Sequence, residues 1–188
     1  ESINMAGVHN LPIVFTVQNN QFAYSSPNEV EFGTPNVADR GAGYGIESKI
    51  IDGNDIYQVI DTMHDACEKA RNNEGPSLIE LVTFRHHGHA GHDPAEYVEE
   101  EVREFWIKRD PITRFEDALV EEGLFTKNDF ETLSEEIDNE IKSTIEWAKE
   151  QDDPNPDEEI EDMFATRTSE VFTNDESSTE TMNFIEAI

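Results

Sequence analysis

The stretch IESKIIDGNDIYQVIDTMHDACEKARNNEGPSLIELVTF, residues 46–84, decides the fold. Ile46 to Ile51 gives a strand of alternating character, and Asp52-Gly53-Asn54 supplies a turn and a helix start. From Asp55 to Asn72, residues Ile56, Val59, Ile60, Met63, Ala66, Cys67 and Ala70 recur at i, i+3, i+4 and i+7, which predicts a helix with one apolar face. Gly75-Pro76 ends that helix, and Ser77 to Phe84 reads as the next strand. A strand, a helix and a strand in this order predict a mostly parallel sheet with helices packed on it, an α/β fold.

Working outward, Ile13 to Val17 reads as a further buried strand, and Glu1 to Val8 looks like the middle of a helix. Between these strands, Gln18 to Gly45 holds four Gly and two Pro among polar residues and predicts a turn-rich connection. Downstream, Arg85-His86-His87-Gly88-His89-Ala90-Gly91-His92-Asp93-Pro94 is a loop followed by three helical segments. Asp110-Pro111 opens the second with a cap residue and a first-turn proline. Thr126 and Asp129 form a capping pair for the third, whose Phe130, Leu133, Ile137, Ile141 and Ala148 make one stripe expected to pack in a core. Asp152 to Glu161, with two prolines, is an acidic breaker, and Thr166 to Thr181 has linker composition.

The chain has 188 residues, with 13 Lys and Arg against 43 Asp and Glu, a formal charge of −30. Nucleic acid is a poor partner for it, since binding a polyanion relies on basic side chains displacing counterions. No apolar run approaches the roughly 20 residues of a membrane span, so no membrane partner is expected. The acid is uneven: residues 93–162 carry 26 acids and 7 bases, residues 1–92 only 12 and 5. A salt-adapted source and a merely self-repelling surface both account for that excess. Cys67, the one cysteine, sits in the helical apolar set, so no disulfide forms and a reducing cytoplasm is expected. The absence of an initiator Met or a basic leader at Glu1 suggests a fragment.

Two loops follow the carboxyl ends of predicted strands, where open parallel sheets bind ligands. In Gln18-Asn19-Asn20-Gln21-Phe22-Ala23, an Asn side-chain oxygen and a backbone carbonyl are hard neutral ligands of the kind magnesium accepts. The plain alternative is a turn, because Asn bonds its own backbone. In the second loop Arg85 offers a fork to phosphate, and the histidines can donate to phosphate or exchange protons near neutral pH. The competing readings are a zinc site and a surface loop that is merely histidine-rich, which would be preferred if the loop stood alone; zinc is the weaker, since structural sites want four converging ligands that usually include Cys.

Together these loops resemble a family: the alpha subunit of the thiamine diphosphate-dependent first component of 2-oxo acid dehydrogenase complexes. Glu1-Ser2-Ile3-Asn4-Met5-Ala6, Gln18 to Ala23, Arg40-Gly41-Ala42-Gly43-Tyr44-Gly45-Ile46, Asp52-Gly53-Asn54-Asp55, Gly75-Pro76-Ser77-Leu78-Ile79-Glu80 and Asp110-Pro111-Ile112-Thr113-Arg114-Phe115 look like that family in its order, over roughly residues 1–164. The resemblance implies part of a thiamine diphosphate-binding, doubly wound parallel sheet followed by a helical C-terminal region. Its implied division is 1–97 for the C-terminal part of the cofactor domain, 98–164 for the helical region, and 165–188 for an acidic linker that runs into a beta-subunit-like start.

The resemblance also implies roles. Asn20 matches the asparagine that binds Mg2+, and Phe22 the residue whose carbonyl does so. Arg85 matches a diphosphate contact, and His89 an active-site histidine beside the cofactor. The implied reaction is oxidative decarboxylation of a small 2-oxo acid, pyruvate or branched-chain, with acyl transfer to the lipoyl group of the acyltransferase component. A beta subunit, separate or fused, is the implied partner in an alpha-two beta-two core.

Several departures bear on these roles. Too few residues precede Asn20 to include the family's Gly-Asp-Gly half and its aspartate ligand. Ala90 stands where regulated relatives carry a phosphorylatable Ser, and Val98 where many carry Arg. Met182-Asn183-Phe184-Ile185-Glu186-Ala187-Ile188 resembles the opening helix of the beta subunit, which is the basis for expecting a fusion. Two rivals stand beside this reading: a transketolase-like thiamine enzyme, disfavoured by His87-Gly88-His89, and an acidic binding module that keeps the fold without the cofactor.

Overall fold

The computed structural model describes residues 1–153 and Asn155. Contacts divide the chain into two units, Glu1–Glu136 and Ile137–Ile188. The polar tract at 166–181 and the beta-like 182–188 lie outside the described residues, as does most of the acidic breaker.

In the first unit, three strands form one parallel sheet: β1 (Val14–Asn19), β4 (Glu47–Asp52) and β5 (Ser77–Val82), in the order β1-β5-β4. The parallel α/β reading of the sequence holds here. β5 is central because its Leu78, Ile79 and Glu80 are buried on both faces, as a strand flanked on each edge must be. Burying a side chain such as Leu78 or Ile79 contributes about 1.5–3 kcal/mol each. Val14 and Glu47 both pair with Ser77, and Asn19 and Asp52 both pair with Val82. All three strands therefore end at one level, which lines their outgoing loops along one edge.

Helix α1 (Ser2–Val8) precedes β1, and a two-residue hairpin, β2 (Phe22–Ala23) with β3 (Ser26–Pro27), leads into the single turn α2 (Asn28–Glu31). A 3-10 helix at Ala38–Tyr44 follows. Helix α3 (Ile56–Arg71) joins β4 to β5, and Asp55 caps it by accepting from Gln58 N at 3.2 Å. Its buried residues are Thr62, Ala66 and Ala70, and Ala66 packs in the core with Ile51 and Ile79.

The expected apolar face of α3 needs correction. Ile56 and Ile60 are 36% and 56% exposed, and Cys67 is half-buried. At 100° per residue these three lie roughly 80° round the helix from the 59, 62, 63, 66, 70 line that meets the sheet. Small Ala66 and Ala70 allow that line to approach the strands closely.

Three helices follow the histidine loop: α4 (Glu100–Ile107), α5 (Pro111–Glu121) and α6 (Lys127–Lys149), the last running across the unit boundary. Asp110 caps α5 by accepting from Ile112 N and Thr113 N at 2.9 and 3.2 Å, with Pro111 where its missing N–H costs nothing. Thr126 and Asp129 cap α6 reciprocally: Thr126 Oγ1 donates to Asp129 Oδ2 at 2.6 Å, and Asp129 N donates back to Thr126 Oγ1 at 3.3 Å. The α6 stripe has helical spacing but not core burial, since Leu133, Ile137 and Ile141 are 47%, 46% and 52% exposed.

Candidate functional site

At the end of β1 the two asparagines part company. Asn19 is buried, and its Nδ2 donates to the buried Glu80 carboxylate at 2.6 Å. Its Oδ1 accepts from Asn28 Nδ2 at 2.7 Å, Gln21 N at 3.1 Å and Gln21 Nε2 at 3.2 Å. Glu80 uses its other oxygen to accept from Ala38 N at 2.7 Å, so a carboxylate on the central strand ties the β1 loop to the 3-10 helix. Asn19 is a structural hub whose side-chain oxygen already accepts three hydrogen bonds among the described residues. Asn20 instead makes a short turn, its Oδ1 accepting from Phe22 N at 3.2 Å, as the plain reading of Asn-Asn anticipated.

That geometry fits a metal ligand as well. A carbonyl-type oxygen has two lone pairs, and Asn20 Oδ1 accepts one hydrogen bond among the described residues. Phe22 pairs with Pro27, which has no N–H and cannot donate to the Phe22 carbonyl. Two neutral oxygens on one tight loop are the donor set magnesium takes while it keeps waters and phosphate oxygens.

The histidine loop lies against this one. Thr83 N donates to Asn19 O at 2.9 Å and Arg85 N to Asn20 O at 3.4 Å, so the second loop leaves the sheet alongside the first. Phe22 sits between Phe84 and Tyr97, with ring centres 6.0 and 5.8 Å away. Arg85 Nη2 donates to Tyr24 O at 2.6 Å and Tyr97 OH at 2.8 Å, and its Nε to His87 O at 3.1 Å. Nη1 carries no hydrogen bond among the described residues and is the arm left for an anion. The His89 ring is exposed and rests 4.9 Å from the Tyr24 ring. All four residues singled out in the sequence, Asn20, Phe22, Arg85 and His89, thus stand on two adjoining loops at one edge of the sheet.

Asp93 organises the second loop. Its Oδ2 accepts from His89 N at 2.7 Å and Tyr97 OH at 2.8 Å, and its Oδ1 from Ala95 N at 2.9 Å. The backbone N–H groups of Ala95 and His89 hold its carboxyl below the ordinary value, while partial desolvation and the Asp93 carboxylate push the Tyr97 phenol up. Gly88 is required here, because a Cβ would overlap the Asp93 carbonyl. The histidines do not converge: His86 faces Asp110, Nδ1 to Oδ2 at 3.6 Å, whereas His89 turns to Tyr24. No group of three or more His, Cys, Asp or Glu side chains able to hold a metal occurs among the described residues. Tyr24 was not legible as a site residue, because its partners Arg85 and His89 are remote in sequence, and Tyr97 was not because its bonds to Asp93 and Arg85 follow no motif; Asp93 was visible only as an acid ending the loop.

At the end of β4, Asp52 receives Arg109 and Arg114, the latter at 3.0 Å. Burial raises its pKa, but the Asn54 N–H and the two guanidiniums outweigh that and leave it lowered. Buried Asn54 donates to Arg109 O at 2.8 Å and accepts from Thr83 Oγ1 at 2.6 Å. This cluster joins the α4–α5 connection to the sheet edge.

Among the described residues no helix is long and apolar enough to cross a membrane. The family model described as the dehydrogenase E1 component matches residues 1–157. The chain is 36% identical over 165 residues to the pyruvate dehydrogenase E1 component subunit alpha of Bacillus subtilis, covering 87% of this chain and 43% of that protein. It is 31% identical over 165 residues to the chloroplastic pyruvate dehydrogenase E1 component subunit alpha-3 of Oryza sativa subsp. japonica, covering 88% and 39%. Against the 3-methyl-2-oxobutanoate dehydrogenase subunit alpha of Mycobacterium tuberculosis, identity is 33% over 172 residues, covering 91% and 46%. The chain therefore spans less than half the length of these relatives.

Proposed function

The chain belongs to the dehydrogenase E1 component family, and from that premise we propose that it forms the magnesium and diphosphate side of a thiamine diphosphate site in a 2-oxo acid dehydrogenase. The observation that carries this reading is the meeting of the Asn20–Phe22 loop and the Arg85–His89 loop at the carboxyl edge of a parallel sheet, through the Arg85 N to Asn20 O contact of 3.4 Å. Asn20 Oδ1 and Phe22 O would hold Mg2+, and Arg85 Nη1 would meet a diphosphate oxygen. When bound, thiamine diphosphate supplies the electron sink for loss of carbon dioxide from a 2-oxo acid.

This chain's residues bind, orient and move protons. Arg85 is held by Tyr24 O, His87 O and Tyr97 OH, so its free arm is pre-oriented before any anion arrives. His89, exposed at the loop and fixed through its backbone by Asp93, would donate to a substrate oxygen or take a proton during acyl transfer to a lipoyl group. The remaining ligands of the cofactor come from segments outside this sequence: an upstream aspartate for the metal and a beta-subunit glutamate, in an alpha-two beta-two assembly. Relatives named for pyruvate and for 3-methyl-2-oxobutanoate both match, which supports a small 2-oxo acid of either kind as substrate.

In the complete enzyme, Asn20→Ala should weaken magnesium-dependent binding of thiamine diphosphate by about tenfold or more, the cost of one strong oxygen ligand. Calorimetric titration of cofactor with and without Mg2+ measures this, and an unchanged affinity would remove Asn20 from the metal. Wild-type enzyme that binds no thiamine diphosphate at all would return the fold to the binding-module reading.

A further inference from the structure

Helix α4 touches the histidine loop at both of its ends. At the entrance Trp106 stacks on Phe84, ring centres 5.6 Å apart and planes 9° from parallel. At the exit Arg103 Nη2 donates to the Ala95 carbonyl at 2.9 Å. Arg103 and Trp106 are three residues apart and so share one side of the helix.

Ala95 is an unusual residue to find there. It is buried and has φ 54°, a left-handed conformation that is strained for a residue with a Cβ and persists only where its surroundings over-determine it. Both of its polar atoms are held: N by Asp93 Oδ1 at 2.9 Å, O by Arg103 Nη2 and by Val98 N at 3.1 Å. Asp93 is the same carboxylate that receives His89 N and Tyr97 OH. Arg103 makes only a long ion pair, Nε to Glu100 at 3.9 Å, and among the described residues that Nε is buried without a hydrogen-bond partner. Among the described residues its one close bond goes to Ala95.

We propose that Arg103 is a positioning residue for the histidine loop: by fixing Ala95 in its left-handed conformation it fixes Asp93, and through Asp93 the backbone at His89. The part of this that concerns turnover rests on the function proposed above. The part that concerns loop order does not.

The test uses the complete enzyme with Arg103→Met, which keeps the apolar stem and removes the donor, and Arg103→Lys, which keeps a charged donor. Amide exchange of peptides spanning 85–98 is followed without cofactor, and kcat and KM are measured with it. Loss of a charge-assisted bond to a buried carbonyl should speed loop exchange in Arg103→Met by about tenfold or more, leaving peptides of β1 and β5 unchanged. It should lower kcat more than it alters the KM for the 2-oxo acid, and Arg103→Lys should restore most of both. Unchanged loop exchange, or an increase shared equally by the sheet, would overturn the assignment. Wild-type enzyme that neither binds thiamine diphosphate nor turns over would refute the functional reading, while the exchange comparison would still decide the clamp.

Discussion

Asp93 carries more of the histidine loop than any histidine in it. Its carboxylate accepts three hydrogen bonds, two from the backbone N–H groups of Ala95 and His89 that also lower its pKa. A depressed folded pKa means that the ordering is fully present above the unfolded value, about 4, and is lost as pH falls through the lower folded value. An NMR titration of the His89 amide in the complete protein should therefore show its transition below about pH 4. Asp93→Asn should abolish that transition, and a midpoint above the ordinary carboxylate range would contradict the assignment. Gly88 makes a second prediction at this scale. A methyl group there overlaps the Asp93 carbonyl, so Gly88→Ala should loosen the loop and weaken cofactor binding while the melting of the sheet stays put. A variant with wild-type loop exchange would show that the close approach is not needed.

Among the elements, those with a strong local signal were legible and those defined by remote contacts were not. The strand, helix and strand at 47–82 follow the periodicity and the Gly75-Pro76 break, with boundaries shifted by a residue or two where caps and fraying decide them. Asp110-Pro111 and the Thr126/Asp129 pair read as caps and are caps. By contrast, the β2–β3 hairpin and the 3-10 helix at Ala38–Tyr44 are too short to show a period, and Glu80 anchors the latter from the far side of the chain. The candidate loops were visible because strand ends are a topological rule, whereas Tyr24, Tyr97 and Arg103 owe their places to folding and not to spacing. The faces of α3 and α6 show the same limit, since a period fixes which residues align but not which line is covered. The caps allow a quantitative test. Removing the Asp110 oxygen that accepts from both Ile112 N and Thr113 N, with Asp110→Ala, should cost about 1 kcal/mol in urea unfolding of the complete protein, and a change within about 0.3 kcal/mol would mean that solvent replaces the cap.

The molecule as a whole carries its charge in one direction and mostly in one half. Helix α6 holds 7 acids and 3 bases between Lys127 and Lys149, whereas α3 holds 3 acids and 2 bases between Ile56 and Arg71. Like charges one turn apart, such as Glu131 and Glu135, each destabilise a helix by about 0.2–0.5 kcal/mol, and the cost is electrostatic, hence screened by salt. Raising ionic strength from about 0.1 M to about 1 M shortens the screening length from roughly 10 Å to roughly 3 Å, less than the spacing of these side chains. The exchange-protection of α6 amides should therefore rise with salt far more than that of α3, whose charges nearly balance. A parallel rise in both helices would point to a general salting effect, since excluded salts strengthen apolar burial everywhere. A rise confined to α6 would make the acidic half a surface tuned to concentrated salt, and would separate that role from the candidate-site edge, where the ties of Asp93, Arg85 and Tyr97 are short and directional.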